Sequence, residues 1–173
     1  SLSTFIPKPH TPFQWCRQIT IDEIRERQEF FKETVRHRNL NLKWHDKRMS
    51  LLEGILSRGD RKIADLIVEA YSRGCRFDGW SDQLRFDTWE EALKAADIDI
   101  ARYLGERDRE EPLPWDHIDC GIEKDFLLSE YQKAREEGLT GDCRFGPCAG
   151  CGVYDTRLKV VTCEKQDRSV YEE

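Results

Sequence analysis

Apolar positions along this chain recur at two periods, and the changes of period mark its elements. Leu2, Thr4 and Ile6 alternate with Ser3 and Phe5, a period-2 pattern that predicts a short strand. Pro7, Pro9 and Pro12 then stop it. Over 20–39 the period becomes helical: Ile21, Ile24, Phe31 and Val35 share a face, with a polar gap at Gln28. Thr20 and Glu23 form a capping box there, and Asp22 and Glu23 place acid in the first turn. Leu40, Leu42 and Trp44 alternate with Asn41 and Lys43, predicting a second short strand. A second helix is predicted over 50–58, opened by a Ser50/Glu53 box and closed by Gly59. Asp60 caps a third helix through about 72, with Ile63, Leu66, Ile67, Ala70 and Tyr71 inward and Gly74 as its stop. The short Gly-Asp joint predicts that these two helices form an αα-hairpin.

Beyond Gly74 the pattern is interrupted by CRFDGW at 75–80. Asp78-Gly79 suits a tight turn, and Phe77 and Trp80 are expected to staple the hairpin to the next unit, with substrate stacking as the other use of Trp80. Asp87 or Thr88 opens a fourth helix whose face carries Trp89, Ala92, Leu93 and Ala96, with a Thr88/Glu91 box. Asp99 caps a short fifth helix ending near Leu104. The run GERDREE at 105–111 reads as a solvated linker and a domain boundary. Pro112 and Pro114 extend the chain, Trp115 anchors it, and Asp119 or Gly121 begins a sixth helix over 122–137, ended by Gly138. The fold class is therefore mainly α with short strands, that is, α+β.

Composition narrows this only moderately. With 173 residues, 38% hydrophobic and 36% charged, the chain suits one domain or two small ones with modest cores. A net charge of −6 argues against binding nucleic acid over the whole surface. Residues 25–48 nevertheless hold eight Lys/Arg against four acids. Their first reading is a solvated helix face, their second a phosphate-binding patch for RNA or a ribosome-associated substrate. There is no signal-peptide pattern and no apolar run long enough to span a bilayer, so no membrane partner is expected and a cytoplasmic location is. In a reducing cytosol, seven cysteines point to metal or redox chemistry before disulfides.

Five of those cysteines bear on one candidate site. Cys143, Cys148 and Cys151 are spaced Cys-x4-Cys-x2-Cys within a Gly/Pro-rich run. Soft thiolates on such a loop suit Zn²⁺ or an iron–sulfur cluster, and Gly146, Gly150 and Gly152 let the backbone curl so that sulfurs face one point. This spacing with a remote cysteine is that of plant-type [2Fe–2S] ferredoxins, while the Cys148/Cys151 knuckle suits zinc equally. Cys163 is the natural fourth ligand, with Cys120 and His117 as alternatives if the intervening helix folds back. Three reduced cysteines packing a tight loop, or a redox dithiol, are the competing readings. Elsewhere, His45-Asp46 at a predicted strand end is a weaker acid–base candidate, its side chains directed to opposite faces. Cys16 and Cys75 read as ordinary buried thiols.

The segment FIPKPHTPFQW at 5–15 resembles the end of the catalytic barrel in a bacterial radical SAM family whose members often carry a cobalamin-binding-like domain ahead of the barrel. SLLEGILSRGDR at 50–61, GCRFDGW at 74–80, LPWDHIDCG at 113–121 and DCRFGPCAGCGV at 142–153 resemble the C-terminal extension of that family, in the same order. The resemblance implies the last strand of a radical SAM barrel and its helix over 1–48, a helical extension over 49–111, and a Cys-rich metal knuckle over 112–163. A disordered acidic tail is expected over 164–173. It implies SAM and a [4Fe–4S] cluster in the complete enzyme, and it places His10 and Lys8 near SAM or substrate. The Cys-x3-Cys-x2-Cys that holds that cluster is not in this sequence, so the radical SAM core is expected as a missing partner, on the same or a separate chain. Tyr154 stands where the family often has a further cysteine.

Overall fold

The computed structural model describes residues 2–37, 39–143 and 145–153. It divides into two compact units: residues up to Pro9 with Trp15–Trp115, and His10–Gln14 with the chain from Asp116. Six helices are present among the described residues: α1 (Ile21–Thr34), α2 (Lys47–Arg58), α3 (Lys62–Ser72), α4 (Phe86–Ala95), α5 (Ile100–Leu104) and α6 (Lys124–Arg135). The first unit holds α1 to α5, the second α6.

The expected α+β class, with a barrel strand at the start, is corrected. Helix makes up 43% of the described residues and strand 1%, with no sheet and no barrel among them. The two stretches read as strands do meet, but only at one parallel bridge between Leu2 and Trp44. Leu2 N–H donates to Lys43 O at 2.6 Å, and His45 N–H donates to Leu2 O at 3.2 Å. Pairing cannot spread from there. Pro7 and Pro9 have no N–H to offer a ladder, and alternation alone leaves Phe5 and Leu40 exposed.

The first unit's core comes from α2 to α5. Ile55, Leu66 and Ala92 are fully buried, with Leu93, Tyr103 and Leu104 beside them. Full burial of each large apolar side chain contributes about 1.5–3 kcal/mol. The helix pairing differs from the expected hairpin: α3 packs chiefly on α4, while α2 packs on α5 and α1. Accordingly Ile67 and Tyr71, expected inward on α3, are exposed. Phe77 and Trp80 are not the buried staple expected of them; Phe77 is 80% exposed and Trp80 about half exposed.

Caps explain where the helices begin and end. Thr20 and Glu23 make the reciprocal capping box of α1. At α2 the cap is Asp46, whose side chain accepts from Arg48 N–H, and Ser50 instead lies buried inside the helix. At α4, Arg85 takes the N-cap position without a side-chain cap bond, so Thr88 is an interior residue. Three helices end in the same Schellman pattern. Cys75 N–H donates to Ala70 O after α3, Ile98 N–H to Leu93 O after α4, and Gly138 N–H to Lys133 O after α6. The left-handed residue is Gly74 in the first, Asp97 in the second and Glu137 in the third.

Arg58, at the end of α2, is wholly buried. Its Nε donates to Tyr103 O at 3.0 Å and its Nη2 to Gly105 O at 2.9 Å, supplying donors to carbonyls at the end of α5 that the helix itself leaves open. Burial, then the nearby Arg107 charge, pushes its pKa down to about 10. Arg107, within the run read as a solvated linker, is pinned instead. Its N–H donates to Trp15 O at 2.8 Å, its Nη2 donates to Arg58 O at 2.7 Å, and its guanidinium lies over the Trp115 ring.

Candidate metal centre

The cysteine-rich loop is built onto both ends of α6. Phe13 packs edge-to-face on Tyr131 of this helix at 5.8 Å, and Leu127 and Tyr131 are its buried residues. Past the Schellman stop, Thr140 Oγ1 donates to Glu130 Oε1 at 2.6 Å and Lys133 Nζ donates to the same oxygen at 2.8 Å. The two bonds, with the lysine's the larger influence, hold the Glu130 carboxyl below the usual carboxylate range. They also fold the chain back beside the helix. A turn comes next, closed by Phe145 N–H donating to Asp142 O at 3.0 Å, and Cys143 sits within it, half-buried.

The knuckle itself is Cys148-Ala149-Gly150-Cys151-Gly152. Gly150 N–H is directed at Cys148 Sγ, 3.4 Å away. Gly150 and Gly152 are left-handed, at φ +69° and +86°. Gly152 cannot be replaced without movement, because a Cβ there would lie 2.7 Å from Glu123 Cγ and 3.1 Å from Gly121 O. Glu123 N–H donates to Cys151 O at 3.0 Å. The knuckle is thus fastened to the residues that lead into α6. Cys120 belongs to that same lead-in and is exposed. Its neighbour Gly121, at φ +76°, donates its N–H to Asp119 Oδ1 at 2.8 Å, so Asp119 and Gly121, the two alternatives for the helix start, form a turn ahead of it and Glu123 takes the N-cap position.

No family model, curated protein or solved structure matches this chain.

All six cysteines among the described residues are free thiols. Among those residues no three His, Cys, Asp or Glu side chains converge as a metal-binding group. Cys143, Cys148 and Cys151 share one loop, and Cys120 is brought next to its end. Cys163 lies outside the described residues, as does the tail over 164–173. His117 is exposed on the turn before Cys120.

The other sequence candidates fall elsewhere. Lys8 Nζ pairs with Glu53 at 2.5 Å. His10 is left-handed at φ +54° and half-buried. Its Nε2 is shielded from solvent and makes no hydrogen bond among the described residues. His45 lines an open groove of about 730 Å³ with Trp44, Arg48 and Met49. Its neighbour Asp46 is occupied with Arg48, whose guanidinium hydrogen bonds hold the carboxyl below its ordinary range. Three members of the basic stretch are engaged as well: Arg25 pairs with Asp22, Lys32 lies over the Trp44 ring, and Arg48 over Phe86. Cys75 is buried, and burial pushes its thiol up. No helix among the described residues is long and apolar enough to cross a membrane.

Proposed function

We propose that this chain is the C-terminal region of a radical SAM enzyme and that its second unit is an auxiliary soft-metal site. The Cys-rich loop would hold zinc or an iron–sulfur cluster. The observation that carries the metal reading is the knuckle: two cysteines with two residues between them, the intervening Gly150 N–H aimed at the first sulfur, and glycines where the backbone turns left-handed. An N–H directed at sulfur stabilises the thiolate that a metal requires. Core size points the same way. Among its described residues the second unit buries only Leu127 and Tyr131 as large apolar side chains, and units so poor in core are commonly completed by a metal or disulfides.

The enzyme assignment rests on the five sequence motifs, not on a barrel strand. In the complete enzyme, one electron from its [4Fe–4S] cluster would cleave SAM to methionine and a 5′-deoxyadenosyl radical. The SAM-binding core, in the same or a separate chain, would supply that step. The test is metal analysis and visible absorption of protein prepared without oxygen. A brown sample with broad absorption identifies iron–sulfur, and a colourless one with about one equivalent of zinc a structural knuckle. A metal-free sample overturns the metal reading. Formation of 5′-deoxyadenosine by this chain alone, after reconstitution with iron and sulfide, would overturn the division of labour.

A second reading is a non-enzymatic, metal-stabilised helical module that docks a protein or RNA partner. The engagement of Lys8 with Glu53, away from any role beside SAM, favours it. Binding to a radical SAM core, against binding to RNA, separates the two.

A further inference from the structure

We infer that the first unit carries a ligand site of its own: a recess lined by α1 and by the Leu2/Trp44 bridge, which takes a small aliphatic carboxylate. It is independent of the metal reading, which concerns the second unit. The recess has a volume of about 270 Å³, at the lower end of the roughly 300–1,000 Å³ usual for ligand pockets. That size suits a medium alkyl chain and not a long one. Its lining is mainly apolar: Ile24 and Phe31 come from α1, Leu2 and Phe5 from the extended stretch before Pro7, and Trp44 from the bridge. Phe5 is 61% exposed, so a chain laid against it removes apolar surface from water.

Charge names the other end of the ligand. Arg17, Arg27 and His45 border the recess, and among the described residues no Asp or Glu does. Arg17 is already neutralised, because its Nη1 and Nη2 donate to the two Glu23 oxygens at 2.8 and 2.7 Å. Arg27 is exposed, and its guanidinium makes no ion pair or hydrogen bond among the described residues. One uncompensated guanidinium beside an apolar floor complements a tail with a single negative charge at its end. The guanidinium fork matches the two oxygens of a carboxylate. The larger open groove shares Gln28, Trp44 and His45 with this recess but suits an anion less well. Asp46 lines it, and Arg48 there is already paired with that carboxylate.

The test is a titration of the whole 173-residue chain with octanoate, followed by backbone and tryptophan side-chain NMR shifts. Shifts should concentrate on residues 2–5, 24–31 and 44–45. Octanol, the same chain without the charge, should bind about 10-fold more weakly. Arg27→Gln should weaken octanoate by about the same 10-fold factor and leave octanol unchanged, and Arg27→Lys should recover part of the loss. The unchanged octanol affinity separates loss of the charge contact from loss of the fold. Tighter binding of octyl phosphate than of octanoate would overturn the carboxylate assignment. Equal affinity for octanoate and octanol, an unaffected Arg27→Gln variant, or shifts scattered over the surface would overturn the site.

Discussion

The two units solve the problem of stability in opposite ways. The first packs α2 to α5 around side chains such as Ile55, Leu66 and Ala92, and even encloses a charged residue, Arg58. The second has one helix of 12 residues, two large buried apolar side chains among its described residues, and left-handed glycines beside its cysteines. Apolar burial suffices in the first. In the second, on the proposed reading, a soft metal is the missing element. The lesson is that cysteine and glycine content matters where core content falls short, since metal binding there is itself folding free energy.

That contrast can be broken most forcefully by removing metal. Chelation should cost the second unit about 10 kcal/mol of coupled binding energy. Hydrogen exchange should then show residues 116–153 losing protection while α2 to α5 keep theirs. The reciprocal experiment is Leu66→Ala, which should cost about 3–5 kcal/mol in urea unfolding and leave metal affinity unchanged. Arg58→Met keeps volume but strips donors from Tyr103 O and Gly105 O. It should cost about 2 kcal/mol in the same measurement. Helix stops sharpen the comparison further, because both units use the same one. Glu137→Gly relieves a left-handed non-glycine residue and should raise stability by about 1 kcal/mol, whereas Gly74→Ala should lower it by a similar amount.

The smallest effect concerns pH and the first unit alone. Hydrogen bonds from Arg17, then from Thr20, lower the Glu23 pKa from 4.5 to about 2. A carboxyl lowered on folding stabilises above its unfolded value and loses that contribution as pH falls through the folded one. Thermal midpoints should therefore decline slightly between pH 4.5 and about 2, and Glu23→Gln should remove that decline.

Helices were legible where a local signal acted alone. The α1 capping box was readable because Thr20, Glu23 and the apolar face agree. The start of α2 was not, because Ser50 and Glu53 have the spacing of a box even inside a helix, and only Asp46 is placed to cap. Alternation at Leu2 to Ile6 and at Leu40 to Trp44 looked like strands, yet a strand is defined by its neighbour. Each found the other at only one bridge. Arg58 escaped notice because a basic residue at a helix end ordinarily reads as a solvated complement to the dipole. In the candidate metal centre the three clustered cysteines announced themselves by spacing. The place of Cys120 depends on a loop-to-loop contact more than 25 residues away in sequence, which no local pattern encodes.

The reach of Arg58 has a topological consequence. Its acceptors lie 45 and 47 residues further along the chain, so the segment between, which carries α3 and α4 of the core, starts and ends at the same clasp. Such a segment is a cassette with a locked base. Its tip at 77–84, where Phe77 and Trp80 stand in solvent, is where added length is tolerated best, because closure entropy grows slowly with loop size. A protease nick at that tip would leave two polypeptides still joined by the core of α2 to α5 and by the Arg58 clasp at its edge.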